Sequence, residues 1–227
     1  MTQQPTHERS SALASDHPRG RATRETLKSV AQRLFAERGV AAVSVRDIVE
    51  EAGFRNVASL NYHFGGKQSL VQELVLDGAR EAERWRQTQL DRLKPPRDAS
   101  VDELIRILAW PLLSADPVEV ASDTHMRFLN HVISVNRPLF LATVGPEYNR
   151  AYQRCLSLLR ERIDLPRALM DERFILVDIY LRGAFATREA EIARHPKNNR
   201  WNSPEMVRDL LHTAQALLTA PAPTDAA

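Results

Sequence analysis

Ser44–Lys67 reads SVRDIVEEAGFRNVASLNYHFGGK, and its order of caps, apolar positions and glycines decides the fold. Val45, Ile48, Val49 and Ala52 recur at helical spacing. Ser44 stands where an N-cap belongs, Asp47 follows in the first turn, and Val43 is placed to staple onto Ile48. Gly53 turns the chain. A second short helix, roughly 56–64, puts Val57, Leu60 and Phe64 on its inner side, and Gly65-Gly66 ends it. Two helices this short cannot fold alone, so the segment before them must cover them. Thr23–Arg38 supplies the cover, with Leu27, Val30, Ala31, Leu34 and Phe35 in one stripe and Gly39 at the C-cap position. The pattern predicts a three-helix unit built around a helix-turn-helix.

The third helix of that unit keeps a polar outer face: Asn56, Ser59, Asn61, Tyr62 and His63. Small and amide side chains reach base edges, and Asn suits adenine in the major groove. Ser44, Arg46, Tyr62, His63 and Lys67 are donors suited to phosphate oxygens, and the start of the 44–52 helix presents free N–H groups. Arg55, in the turn, joins this DNA-facing set. Ahead of the unit lies Arg19-Gly20-Arg21-Ala22-Thr23-Arg24, read as a flexible arm whose Arg21 and Arg24 track phosphates or enter a minor groove. The competing reading, a hairpin serving only as core, conflicts with Tyr62, His63 and Phe64 in a row, which no single buried stripe accommodates.

The rest of the chain is helical throughout. A long helix over 67–93 is stopped by Pro95-Pro96, and five further segments are expected at about 100–114, 118–135, 146–163, 166–194 and 203–219. Their breaks carry Asp116-Pro117, Arg137-Pro138, Gly145-Pro146, Leu165-Pro166 and His195-Pro196. The expected class is all-α: an N-terminal three-helix DNA-binding domain at 21–66 and a larger helical dimerisation bundle at 67–220, with disordered tails at 1–20 and 221–227. A net charge of only +2 over 227 residues leaves no global basic field, so any nucleic-acid signal is local. One cysteine, Cys155, fits a reducing compartment. With no membrane-length apolar run and no signal pattern, the reading is a cytoplasmic protein with no membrane partner.

The ordered motifs Phe35-Ala36-Glu37-Arg38-Gly39, Ser44-Val45-Arg46-Asp47-Ile48, Glu51-Ala52-Gly53 and Leu60-Asn61-Tyr62-His63-Phe64-Gly65-Gly66-Lys67 resemble the TetR/AcrR family of transcriptional regulators over roughly residues 21–75. The resemblance implies phosphate-contacting roles for Arg46, Tyr62, His63 and Lys67, and base approach at Ser59 and Asn61. Phe54–Ser59 is about one residue longer than the family pattern, so roles for Arg55, Asn56 and Ala58 do not carry over.

In the second half, Phe174, Val177, Leu181 and Phe185 form one stripe of the 166–194 helix, with Ile175, Leu176, Ile179 and Tyr180 beside it. The last helix carries Met206, Leu210, Leu211 and Leu217. A monomer would expose part of this as an apolar patch. A homodimer with a four-helix interface buries it, with Phe174, Val177, Leu181, Phe185, Met206, Leu210, Leu211 and Leu217 as the expected interface. The resemblance implies the same helices as the dimer surface. It also implies a small-molecule pocket in the intervening segments, for which Leu108, Trp110, Met126, Phe128, Leu129 and His131 are candidate lining residues. His125, Arg127, Asn130 and Asn136 are further polar candidates, and the expected effector is small and largely apolar.

Enzymatic chemistry finds no support. Cys155 has no neighbouring histidine, the histidines lack metal-ligand spacing, and no phosphate loop, dinucleotide fingerprint or nucleophile elbow occurs. No cofactor, catalytic residue or metal site is expected. The reading is a dimeric repressor released from a palindromic double-stranded operator by an effector. The alternatives are an activator or a DNA-architectural protein without an effector.

Overall fold

A computed structural model describes residues 18–93, 98–109, 124–197 and 199–223. Among these residues there are nine α-helices and no strand: α1 (Pro18–Arg38), α2 (Val45–Glu51), α3 (Ala58–Phe64), α4 (Lys67–Arg92), α5 (Val101–Ala109), α6 (His125–Val144), α7 (Arg150–Arg160), α8 (Arg167–Arg194) and α9 (Pro204–Thr219), with a 3₁₀ turn at Arg200–Asn202.

Local chemistry explains the ends. Ser44 caps α2 in a full capping box: its hydroxyl accepts from the Asp47 amide at 3.1 Å, and its own amide donates to the Asp47 carboxylate at 2.7 Å. The Ser44 hydroxyl also donates to the Asp47 carboxylate at 2.7 Å, and that bond, with the one from the Ser44 amide, holds the Asp47 carboxyl below its usual pKa. Gly65 ends α3 in the left-handed region at φ 75°, and Gly66 at φ 141° starts α4. Only glycine adopts this pair of conformations without strain, so the two helices turn sharply against each other.

Two apolar cores form. The first joins Leu27, Leu34 and Phe35 of α1 to Ile48, Leu60 and Phe64, but it also takes Leu70, Leu74 and Val75 from α4 and Phe128, Val132 and Val144 from α6. The second holds α5, α7, α8 and α9 together around Leu104, Leu158, Val177, Phe185 and Leu211. The first core therefore runs past the expected boundary at residue 66. Helix α6 lies between the two: Phe128 packs on the DNA-side core, Met126 on the bundle core, and Leu129 touches both.

Several expectations change. Residues 18–24 are the opening turns of α1, so the arginine segment is helical and not a flexible arm from Pro18 onward; residues 1–17 and 224–227 of the expected tails lie outside the described residues. Val57 is 39% exposed, because α3 begins at Ala58 and its inward stripe starts at Leu60. The expected break at Arg137-Pro138 is a kink inside α6. Asn136 leaves helical geometry at φ −146° and ψ 66°, and its side chain accepts from the Leu139 amide at 3.1 Å, capping the resumed helix. The segment expected at 146–163 is helical only over Arg150–Arg160. The end of the 100–114 segment, the start of the 118–135 segment and the breaks at Pro95-Pro96 and Asp116-Pro117 lie outside the described residues.

Two buried charged residues pin the bundle. Glu189 of α8 accepts from the Met126 and Arg127 amides at 2.8 and 2.9 Å. It thereby caps the N-terminus of α6, where Thr124 makes no side-chain cap bond. Arg188 donates to the Trp201 carbonyl at 2.8 Å and to Asn202 at 3.2 Å, fixing the 3₁₀ turn that leads into α9.

Candidate nucleic-acid interface and internal cavity

The outer surface of the helix-turn-helix is built from the turn and α3. Arg55, Asn56, Val57, Ala58, Asn61 and Tyr62 are exposed, and Ser59 is half-buried beside them. Asn56 is partly committed: its side-chain oxygen accepts from the Ala58 amide at 2.8 Å and so shapes the start of α3. Arg46 is exposed and bonds Glu50 at 2.7 Å. A solvent-exposed pair of this kind contributes little to stability, so a phosphate can displace it cheaply. Ser44 is exposed at the start of α2. Lys67 donates to the Val43 carbonyl, which ties the start of α4 to the entry of α2 and leaves other ammonium hydrogens for a phosphate.

His63 is half-buried, with its ring edge-on to Tyr62 at 5.2 Å. Burial first, then the positive charge of Arg24, pushes its pKa below the usual value. At neutral pH it is therefore a neutral donor, not a cation. Arg21 is exposed on α1.

Arg24 departs from expectation. Its guanidinium sits 4.3 Å from the centroid of the Phe64 ring and donates to the His63 carbonyl and to Glu73. It bolts α1 to the end of α3 and to α4, and it belongs to the scaffold of the reading surface. Lys28 completes that scaffold by pairing with Glu25, Glu73 and Asp77. Burial pulls its pKa down, but the bond and charge of Asp77, with Glu25 and Glu73, raise it overall. Apart from Glu25, which lies one turn before Lys28 on α1, these partners lie on other helices, and sequence spacing gave no sign of them.

A cavity of about 640 Å³ opens between α4, α6, α7 and α8, within the ~300–1,000 Å³ common for small-molecule sites. Its apolar wall includes Val75, Ala79, Met126, Leu129, Phe174 and Leu181. Of the expected lining residues, Leu108, Met126 and Leu129 are on it. Phe128 is not: it is fully buried on the opposite side of α6 and stacks on Phe35 at 6.1 Å. His131 is exposed, beside Gly39, and Trp110 lies outside the described residues. Among the polar candidates His125 lines the cavity, whereas Arg127 lies 4.0 Å from Glu189, Asn130 accepts from Arg182 at 3.2 Å and Asn136 caps the kink.

The charged lining was missed in the sequence: Arg86, Arg137, Arg160 and Arg182, with Asp171 and Asp178. Those residues are scattered over four helices, and only packing collects them.

His125 lies flat on α4 at Gly78. A β-carbon at Gly78 would sit 2.0 Å from His125 Cε1, so Gly78→Ala must drive the ring away, with the cavity beside both residues as the space to receive it. Alanine gains about 1 kcal/mol of helix propensity over glycine. The variant is therefore expected to fold and to lose cavity volume. Thermal unfolding with a crystal structure checks this; an unmoved His125 ring would refute it.

The expected interface residues Phe174, Val177, Leu181, Phe185, Leu210 and Leu211 are buried within the single chain. They face α5, α7 and the other bundle helices, so they are not the surface left for a second copy. Met206 and Leu217 are half-buried against the same core. The apolar face that α8 leaves open is the neighbouring stripe, Ile175, Leu176 and Ile179, at 49%, 49% and 52% exposure.

Among the described residues no group of three or more His, Cys, Asp or Glu is placed to hold a metal ion, and no helix is long and apolar enough to cross a membrane. Cys155 is buried, and burial pushes its thiol up to about 12, which makes it a poor nucleophile.

Residues 28–74 match the family described as bacterial regulatory proteins, tetR family. Over 62 residues the chain is 44% identical to the HTH-type transcriptional repressor KstR2 of Rhodococcus jostii, a match spanning 27% of this chain and 30% of that protein. The chain thus spans about 30% of the length of that curated relative. The whole fold is similar to that of the probable transcriptional regulatory protein RHA5900, with a TM-score of 0.55 at 18% identity over 88% of this chain and 100% of that one. It is also similar to PfmR, a TetR family transcriptional regulator of Thermus thermophilus, with a TM-score of 0.52 at 18% identity over 92% and 99% of the two chains.

Proposed function

We propose that the chain is a TetR-family transcriptional regulator, a reading supported by the family match over residues 28–74, and that it acts as a dimeric repressor that leaves a palindromic operator when a small effector fills the cavity. The observation that carries this reading is shared structure. Helices α4 and α6 line the cavity and also supply Leu70, Leu74, Phe128 and Val132 to the core under α1–α3. A ligand that alters the packing of either helix alters the platform on which the reading surface rests. It acts only through unequal affinity for the DNA-competent and DNA-incompetent arrangements.

In the proposed dimer, α8 and α9 pack against their copies, with Ile175, Leu176 and Ile179 of α8 covered by the partner. Two reading surfaces then meet half-sites about one helical turn apart. Asn61 and Ser59 approach bases, while Ser44, Arg46, Tyr62, His63 and Lys67 hold phosphates, with Arg21 reaching the backbone beside them. Such a regulator works in the cytoplasm, where its DNA is.

The test is selection of bound duplexes from random DNA, followed by affinity measurements at several salt concentrations. A palindromic consensus is expected. Arg46→Ala should weaken binding to all sequences alike and lower the log–log salt slope by about 1. Asn61→Ala should instead relax preference at one position of each half-site, at a cost of about 1–3 kcal/mol. Equal binding to every duplex would contradict the reading and favour an architectural role.

A further inference from the structure

We propose that Val57, flanked by Ala58, reads a thymine of the operator through its C5-methyl group. The inference rests on reading the helix-turn-helix as the DNA-contacting surface, and it gives the turn ahead of α3 a recognition role of its own.

Over residues 18–66 the exposed large hydrophobic side chains are Val57, at 39%, and Tyr62, at 51%. Of the two large apolar residues in the turn, Phe54 packs against the core under α1–α3, whereas Val57 belongs to neither core. Val57 has helical backbone angles, φ −56° and ψ −28°. The spacing of four therefore sets Val57 beside Asn61, and Ala58 beside Tyr62, on one exposed face. Leu60 and Phe64 turn the other way, into the core. A valine and an alanine thus stand among the polar side chains that meet bases in this reading.

Asn56 holds that apolar pair in place. Its Oδ1 accepts from the Ala58 amide at 2.8 Å, and its carbonyl accepts from the Ser59 amide at 3.0 Å. Together these bonds close the first turn of α3 around Val57. A bidentate bond to adenine needs the amide oxygen and nitrogen together. With the oxygen engaged by the backbone, Asn56 is a positioning residue for Val57 and not an adenine reader.

In the major groove thymine presents a carbonyl oxygen and a methyl group, and cytosine an amino group with no methyl. Of these only the methyl can be met by an apolar side chain. Valine suits it because branching at Cβ restricts χ1, so its two methyl groups are presented with little rotamer freedom left to lose. Ala58 beside it is small enough to let the groove come close.

The experiment starts from the preferred duplex selected from random DNA. Each thymine of its half-sites is replaced in turn by deoxyuridine, which removes the methyl and keeps every hydrogen-bonding group of the base. Binding of the full chain is measured by fluorescence anisotropy for the parent and for Val57→Ala, a change at an exposed position outside both cores. At one position per half-site the parent is expected to lose about 4-fold in affinity, or roughly 15-fold with both half-sites changed, the worth of one buried methyl-sized group in each. Val57→Ala should bind the deoxyuridine duplex as the parent does and the thymine duplex no better. Its salt slope should stay at the parent's value, since no phosphate contact is lost. Asn56→Ser keeps an acceptor for the Ala58 amide and should leave the base preferences unchanged. The proposal is overturned if the half-sites hold no thymine, if no deoxyuridine substitution weakens the parent, if Val57→Ala keeps the parent's sensitivity, or if Asn56→Ser loses an adenine preference. Each of those results leaves a sequence-specific regulator standing. A selection that yields no preferred sequence would overturn both the thymine contact and the regulator reading.

Discussion

Phe128→Ala will lower the unfolding free energy by about 3–5 kcal/mol, the usual cost of emptying a closed aromatic site. Phe128 is fully buried and stacks on Phe35 with the rings 25° apart and their centroids separated by 6.1 Å. It is the main aromatic contact between α1, the first helix of the reading unit, and α6, which lines the cavity. Gln32 adds a single bond to Thr124 at 3.2 Å, too little to hold the two helices together alone. Phe128→Leu should cost less, since it retains much of the volume. Denaturant unfolding followed by circular dichroism measures both. The alanine variant is further expected to bind cavity ligands with affinity close to the parent, because the side chain faces away from them. A loss under about 1 kcal/mol would show that α1 and α6 do not share a core.

Glu189→Ala will cost about 3 kcal/mol, close to the upper range for a buried bond to a charged acceptor. The carboxylate is 4% exposed and receives two amides from the first turn of α6. Removing it orphans both N–H groups and takes a negative charge from the positive end of a helix. Glu189→Gln keeps one acceptor oxygen and is expected to recover part of the loss. If both variants are as stable as the parent, the charge and its bonds contribute nothing, and α6 is held by packing alone. Hydrogen exchange locates the effect: protection should fall first at Met126 and Arg127 and persist in α2 and α3.

Much of this architecture was legible because its signals are local. Ser44 and Asp47 announce a capping box within four residues, and Gly65-Gly66 announces a turn no other pair makes easily. Prolines and caps place α8 and α9 within one residue of their expected spans. What depends on distant partners was not legible. Helix α8 is apolar around so much of its girth that sequence does not say which stripe turns inward; packing buries Phe174 and Leu181 and leaves Ile175 and Ile179 in solvent. Phe128 and Leu129 are neighbours with the same chemistry, yet one joins the DNA-side core and the other the cavity wall. Arg24 looked like part of a phosphate-tracking arm, but its partners His63 and Glu73 lie 39 and 49 residues away. Pro138 looked like a helix end, because its missing N–H usually makes one; the Asn136 side chain restarts the helix and turns the break into a kink.

The central claim is that cavity occupancy and DNA affinity are coupled through α4 and α6, and linkage makes it measurable from both directions. The direct measurement is a pair of titrations on the full chain: affinity for a selected operator duplex with and without a saturating small apolar ligand of the cavity, and affinity for that ligand with and without the duplex. The cavity ligand is expected to weaken operator binding by about 5- to 150-fold, and the operator to weaken ligand binding by the same factor. Tight binding of both with neither affecting the other would contradict it.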